Sequence, residues 1–165
     1  MFLGIDPGLV KTGWGIIECS RNAINYVDSG VIQDKDCDLA MTERLVNIFR
    51  SLSEVIERHL PTHCAIEHVY VNTNYASSLK LSQARAACMI ACGMFKHDTA
   101  EYPAKTIKKT LTGNGNADKH QVMNMVKIQL RLTDSHCKKI RLYDEYDALA
   151  IALCHTAHTF PWATS

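Results

Sequence analysis

The sequence predicts an α/β fold with a mixed five-stranded sheet flanked by helices, and three observations support it. The first third of the 165 residues reads as three successive strands separated by turns. Apolar residues then recur at every third or fourth position instead of every second one, which indicates a change from strand to helix. Strand and helix alternate after that, and the final third is helical. This order is typical of a layered sheet with helices packed on it, and the length predicts one domain over residues 1–165.

Each predicted strand is a short apolar or β-branched run that ends at a turn signal. Pro7-Gly8 must end the first strand directly after Asp6, and Ser20-Arg21-Asn22 supplies the turn between the second and third strands. The predicted strands are residues 2–6, 12–19, 24–32, 63–70 and 98–102.

Apolar residues spaced by three and four predict the helices. The first carries such a face from Leu45 to Ile56 and ends before Pro61. The second contains small residues such as Ala84 that suit tight packing or dimerisation, and Gly113-Asn114-Gly115 separates the third helix from the fourth. The helices after the first are predicted at residues 77–95, 103–111, 118–132 and 144–158, with a polar loop at 133–141.

Composition excludes several classes of protein. No uncharged apolar stretch approaches the roughly 20 residues that span a bilayer, and the N-terminus shows no basic leader, so we expect a cytoplasmic protein. The seven cysteines are odd in number and form no C-x-x-C pair, which predicts reduced thiols instead of a disulfide framework.

The net charge of +1 conceals an uneven distribution. Residues 103–141 carry 9 Lys and Arg against 2 Asp and Glu, whereas the segments on both sides are net negative. Such a block could bind the phosphates of a nucleic acid, with a solvated helix face as the alternative. Its members are Lys105, Lys108, Lys109, Lys119, Lys127, Arg131, Lys138, Lys139 and Arg141.

Four acids stand inside or at the ends of apolar runs that otherwise read as core. They are Asp6, Glu67, Asp144 and Asp147. Three of them have an ordinary alternative: Asp6 as a turn residue, Glu67 as one half of a salt bridge, and Asp144 as a helix cap. Asp147 shares a helix face with Asp144 and is harder to explain, since apolar residues follow it.

Carboxylates gathered in one place require protonation, a partner or a cation, and a set of oxygen ligands is what Mg²⁺ prefers. Two such ions would activate a water and stabilise the departing oxygen of a phosphodiester. The acids beside the basic block therefore predict metal-dependent hydrolysis of nucleic acid. Tyr70, three residues after Glu67, could stack on an unpaired base, although a tyrosine there more often simply packs.

Five sequence blocks in order resemble the RuvC family of Holliday-junction resolvases, over Leu3 to about His155. The blocks are Leu3-Gly4-Ile5-Asp6-Pro7-Gly8, Thr12-Gly13-Trp14-Gly15, Ala65-Ile66-Glu67, Leu79-Lys80-Leu81-Ser82-Gln83-Ala84-Arg85 and Asp144-Glu145-Tyr146-Asp147-Ala148-Leu149-Ala150. One departure is His68, where many relatives carry an amide.

The resemblance implies a ribonuclease H-like fold and a homodimer that nicks a four-way DNA junction symmetrically. It implies that the four acids bind Mg²⁺, with two ions per site and Mn²⁺ able to substitute. It also implies that Tyr70 opens the junction centre, that Lys109 and Lys119 contact DNA, and that the enzyme cooperates with a branch-migration motor.

Three other functions are consistent with parts of the pattern. A ribonuclease H-like nuclease could act on RNA, because a fold does not select the nucleic acid. A catalytically silent module could bind junctions, although it would have no need of four acids. An ATPase of the actin and hexokinase type also begins with a strand-turn acid, but it requires two such domains.

Overall fold

The computed structural model describes residues 1–21, 23–34, 39–69 and 75–160, which form five strands and six helices. The strands are β1 (Phe2–Asp6), β2 (Lys11–Cys19), β3 (Ile24–Gln33), β4 (His63–His68) and β5 (Thr99–Pro103). The helices are α1 (Met41–His59), α2 (Tyr75–Met94), α3 (Ala104–Thr112), α4 (Lys119–Gln129), α5 (Asp134–Lys139) and α6 (Tyr143–Thr159).

The five strands form one mixed sheet, as predicted, and the structure gives their order as β3-β2-β1-β4-β5. The first three strands pair antiparallel, whereas β1 with β4 and β4 with β5 pair parallel. Parallel neighbours end at the same edge, so the carboxyl ends of β1 and β4 lie side by side. Ile5 is opposite Ile66 in this pairing, and Asp6 and Glu67 are the next residues on each strand.

Strand alternation divides the core into two layers. Leu3, Ile5 and Ile66 face α1 and α2, where they pack with Leu52 and Ile56. Phe2 and Ala65 face the other way, towards α3, α4 and α6. Because successive side chains point to opposite faces, Asp6 and Glu67 lie on the face that α6 covers.

Helix α6 approaches the sheet so closely that two sheet positions have no room for a side chain. A Cβ on Gly4 would lie 2.0 Å from the carbonyl oxygen of Ala148, and a Cβ on Gly13 would lie 2.1 Å from that of Asp144. The obstacles are backbone atoms, which rotamer changes do not move. Glycine at these positions therefore sets the distance between α6 and the sheet.

The small residues of α2 serve packing within the chain. Ala84, Ala87 and Ala91 are buried in the layer between the sheet, α1 and α2. The outward side of α2 instead carries the larger apolar residues Leu79 and Ile90.

The prediction of a polar loop over residues 133–141 is wrong, because α5 occupies most of it. None of the residues of α5 is buried, so the hydrophobic spacing that reveals longer helices is missing. Helix α4 is also shorter than predicted, and Arg131 just beyond it has a left-handed φ of 48°.

Two further findings concern the helices and the cysteines. Within the described residues, every helix is too short or too polar to cross a bilayer. The cysteines in the same part of the chain, among them Cys64 and Cys92 in the core, are free thiols.

Gly4→Ala tests the close approach of α6. The added methyl group meets backbone on two sides, so we expect a loss of about 3 kcal/mol in the free energy of unfolding. Urea denaturation measures this loss. The control is Gly93→Ala in α2, where nothing lies within 4 Å of the added atom and helix propensity predicts a gain of up to about 1 kcal/mol. Equal stability of the two variants would contradict the packing described.

Candidate active site

Asp6 and Glu67 reach the site from adjacent strand ends on the same face of the sheet. The turn after Asp6 is fixed by Thr12, whose hydroxyl donates to the carbonyl oxygen of Gly8 at 2.7 Å. Asp6 pairs across the antiparallel ladder with Gly13, which lacks a side chain to screen it from α6. The sheet thus presents two carboxylates towards one helix.

The start of α6 supplies Asp144 in its first turn and Asp147 in the turn after it. Asp144 lies against Gly13, and Asp147 follows one turn later on the same side. The helix cap was predicted as the alternative role of Asp144, but another acid performs it. Glu145 Oε1 accepts the backbone N–H groups of Arg141 at 3.0 Å and Leu142 at 3.2 Å.

Three of the four predicted acids line one cavity of about 300 Å³. Asp6, Glu67 and Asp147 share this cavity with the two cations Lys108 and Lys119. Lys119 Nζ lies 3.8 Å from Asp147 Oδ2, and its side chain is 70% exposed, so its ammonium group remains accessible from solvent. Asp144 does not line the cavity, although its charge is felt by Asp6 and Asp147.

The cavity shifts all three of its acids towards their protonated forms. Burial, together with the negative charges of Asp147, Glu67 and Asp144, raises the pKa of Asp6 to about 8. Burial also raises the pKa of Glu67 and that of Asp147. Lys108 and Lys119 oppose these shifts in Glu67 and Asp147 without cancelling them. For all three acids to be ionised near neutral pH, the cluster therefore needs more positive charge than the two lysines supply.

This donor set fits a hard divalent cation. It consists of carboxylate oxygens at the edge of a packed core, with their mutual repulsion only partly relieved by lysine. Among the described residues, no three His, Cys, Asp or Glu side chains already converge on one point as ligands. Repelling carboxylates are expected to stand apart until a cation draws them together.

The predicted nucleic-acid contacts fall into three groups. Lys108 and Lys119 lie in the cavity with the acids. Lys105 lines a neighbouring cavity, whereas Lys109 is exposed and lines neither. Tyr70 lies outside the described residues.

Other members of the basic block contribute to structure. Lys139 Nζ is 2.7 Å from Asp28 Oδ1, and Lys127 Nζ lies 5.4 Å from the ring centre of Tyr146. The charge count of the block thus overstates the number of cations around the site.

The neighbouring cavity, of about 720 Å³, opens on the other side of Glu67 and is also lined by His68, Leu81 and Pro103. His68 Nε2 is 4.0 Å from Glu101 Oε2, and Arg85 of α2 forms an ion pair with the same carboxylate oxygen. The residue beside Glu67 is thereby linked through Glu101 to α2.

Sequence reasoning missed Glu145, which is only 6% exposed. It read the acids of the final block as metal ligands or caps without assigning this residue. A signal was present, since an acid in the first turn of a helix commonly accepts backbone N–H groups there.

Comparison with known proteins agrees with this geometry. The family model described as crossover junction endodeoxyribonuclease RuvC matches residues 2–155. The chain belongs to the RuvC family. Membership implies a nuclease that depends on a divalent metal ion.

Curated relatives are similar over almost their whole length. A crossover junction endodeoxyribonuclease RuvC from Orientia tsutsugamushi (strain Boryong) is 45% identical over 152 residues, which is 92% of each chain. One from Bradyrhizobium diazoefficiens is 42% identical over 156 residues, 94% of this chain and 86% of the relative.

Solved structures of this family have the same fold. A Thermus thermophilus RuvC structure superposes with a TM-score of 0.85 at 25% identity, covering 98% of this chain and 96% of the other. The T. thermophilus RuvC in complex with Holliday junction substrate gives 0.86 at 26% identity, covering 96% and 93%. The ribonuclease H-like fold implied by the sequence resemblance is confirmed.

Asp6→Asn tests the charge balance of the site. The folded-state pKa of Asp6, about 8, lies above its ordinary value of 3.8. The fold therefore favours the protonated form, and stability is lost as pH rises between these values. In EDTA at pH 8 we expect the variant to be more stable than the unaltered protein by about 1–3 kcal/mol, and at pH 4 by almost nothing.

Urea denaturation at the two pH values measures the difference. Glu54→Gln, at an exposed position of α1, is the matched control and should change stability by less than about 0.5 kcal/mol. Saturating Mn²⁺ should stabilise the unaltered protein and remove the advantage of Asp6→Asn. A variant that is less stable than the unaltered protein in EDTA at pH 8 would contradict the proposed repulsion.

Proposed function

We propose that this protein is a crossover junction endonuclease that resolves four-way (Holliday) DNA junctions in the cytoplasm by paired phosphodiester hydrolysis, in recombination and repair. The observation that carries the proposal is the cavity in which Asp6, Glu67 and Asp147 meet Lys108 and Lys119. The RuvC relatives named for this activity, and the RuvC structure solved with a Holliday junction substrate, support the choice of substrate.

Asp6, Glu67 and Asp147 would hold Mg²⁺, with two ions per site and Mn²⁺ as a substitute. When bound, the metal supplies an activated water and stabilises the departing oxygen. Asp144, which lies beside Gly13 but does not line the cavity, would either join the ligands or orient the attacking water. Buried carboxylates are costly to ionise unless a positive charge balances them. This cost favours the binding of a divalent cation at the site.

The lysines have a separate task. Lys119 is close enough to Asp147 to orient its carboxylate and exposed enough to meet a phosphate. Lys108 lies in the same cavity, and Lys105 lines the adjacent one on the far side of Glu67. The DNA strand would thus follow a path over α3 and the start of α4, with phosphate contacts giving affinity. Tyr70 and Lys109 are proposed contacts from the sequence resemblance.

The apolar groove between α1 and α2 is the proposed homodimer surface. It is lined by Phe49, Ala86 and Ile90, among others, and Ile90 is 59% exposed. Two copies related by a two-fold axis would pair the same groove and give two sites for symmetric nicks. The resemblance further implies cooperation with a branch-migration motor.

Cleavage assays on three labelled substrates test the activity. With Mg²⁺ we expect nicking of a four-way junction, little cutting of linear duplex, and none of an RNA–DNA hybrid. Without Mg²⁺ the junction should be bound but intact. Preferential cutting of the hybrid would favour a nuclease that acts on RNA. Binding of the junction without nicks would favour a catalytically silent module.

Asp6→Asn is expected to reduce junction cleavage by at least about a thousandfold, because a metal site contributes several kcal/mol to such a reaction. Junction binding, measured by gel shift, should be largely retained, because the lysines remain. Glu54→Gln serves again as the control and should cleave normally. A normal cleavage rate for Asp6→Asn would refute the assignment of the acids.

Ile90→Glu tests the dimer surface. A buried, unpaired carboxylate in each half of the interface should shift the protein to monomer in sedimentation and replace paired nicks with single ones. Ile128→Glu in α4 is a matched control, since Ile128 is 66% exposed on a different helix. A dimer that survives Ile90→Glu would exclude this groove as the interface.

A further inference from the structure

Glu145 lies in sequence between Asp144 and Asp147, two proposed metal ligands. Its hydrogen-bond partners are residues that do not line the cavity. Oε1 accepts the backbone N–H groups of Arg141 and Leu142. Oε2 accepts the hydroxyl of Ser29 at 2.7 Å, in a buried contact across 116 residues of sequence. Each oxygen has a specific partner, and the side chain is not among those lining the cavity.

The partner on the sheet is itself well held. Ser29 is 9% exposed, and its hydroxyl lies 3.2 Å from the hydroxyl of Tyr26. Its backbone N–H donates to Asp28 Oδ1 at 3.0 Å, the oxygen that also binds Lys139 at 2.7 Å. The start of α6 is therefore attached to β3 at a rigid point.

This attachment complements the glycine contacts. Gly4 and Gly13 set how closely α6 approaches the sheet. Because glycine has no side chain, these contacts alone do not fix the rotation of the helix about its axis or its position along it. A directed hydrogen bond from β3 to the first turn removes that freedom. Asp144 directly precedes Glu145 and Asp147 follows it by two residues in the same helix, so the direction of both depends on how α6 is held.

We infer that Glu145 is a positioning residue of the metal site: through Ser29 it sets the rotation of α6 that directs Asp144 and Asp147 towards Asp6. The inference rests on the proposed metal-dependent function. Groups that orient metal ligands typically change metal affinity by about 10- to 100-fold when removed.

Two variants that remove the same charge separate hydrogen bonding from electrostatics. Glu145→Gln retains an oxygen that can accept the Arg141 and Leu142 N–H groups and an amide that can donate to the hydroxyl oxygen of Ser29. Glu145→Ala retains neither. We expect Mn²⁺ affinity, measured by calorimetry without DNA, to fall about tenfold further in Glu145→Ala than in Glu145→Gln.

Ser29→Ala provides an independent test, since it keeps the charge of Glu145 and removes only the donor on β3. It should lower Mn²⁺ affinity by about threefold to tenfold, in the range typical of such supporting contacts. Because Glu145→Ala could fail to fold, this variant also keeps the inference testable. Val55→Ala, in the core on the opposite face of the sheet, is the control for a general loss of stability and should bind Mn²⁺ normally.

Each remaining outcome is decisive. Equal Mn²⁺ affinities in Glu145→Ala and Glu145→Gln, or normal affinity in Ser29→Ala, would overturn the positioning role while leaving the metal site intact. Absence of Mn²⁺ binding by the unaltered protein would overturn the proposed metal site itself. In Glu145→Ala and Ser29→Ala, the rate of junction cleavage should be closer to that of the unaltered protein at saturating Mn²⁺ than at low Mn²⁺. This is the result expected when a variant binds the metal more weakly.

Discussion

The close contact between α6 and the glycine positions of β1 and β2 is the constraint on which the site depends. It leaves no space for side chains at Gly4 and Gly13, so the helix backbone lies directly on the sheet. Burial of the middle of α6 on all its sides holds this contact together, since Leu149, Ile151 and Leu153 are almost fully buried. The same contact places the first turn of α6 over the end of β1.

The fold holds together a cluster of charges that repel one another. Asp6, Glu67 and Asp147 all have a raised pKa because the core desolvates them. Lys119 offsets part of this repulsion at Asp147. The repulsion among these acids destabilises one edge of the sheet, and the burial of the two apolar layers offsets this cost. Local destabilisation offset by the rest of the fold is typical of catalytic sites.

The sheet and the three acids that line the cavity could be predicted from local patterns. Strand ends marked by Pro7-Gly8 placed Asp6, and an acid in a β-forming run marked Glu67. Helix α5 could not be predicted, because a short exposed helix has no apolar face to show in the sequence. Charge alone could not distinguish Lys108 and Lys119 from the other lysines of the basic block, because their place in the cavity depends on tertiary packing. The hydrogen bond between Glu145 and Ser29 depends on tertiary packing as well.

The order of the elements has a consequence for biosynthesis. Asp6 and Glu67 belong to strands made early, whereas α6 comes after all the other described elements. A nascent chain can pair its strands while α6 is still inside the ribosome, and at that stage it carries only half of the proposed carboxylates. The proposed metal site is therefore completed only when α6 docks on the sheet, and a chain truncated before α6 lacks Asp144 and Asp147.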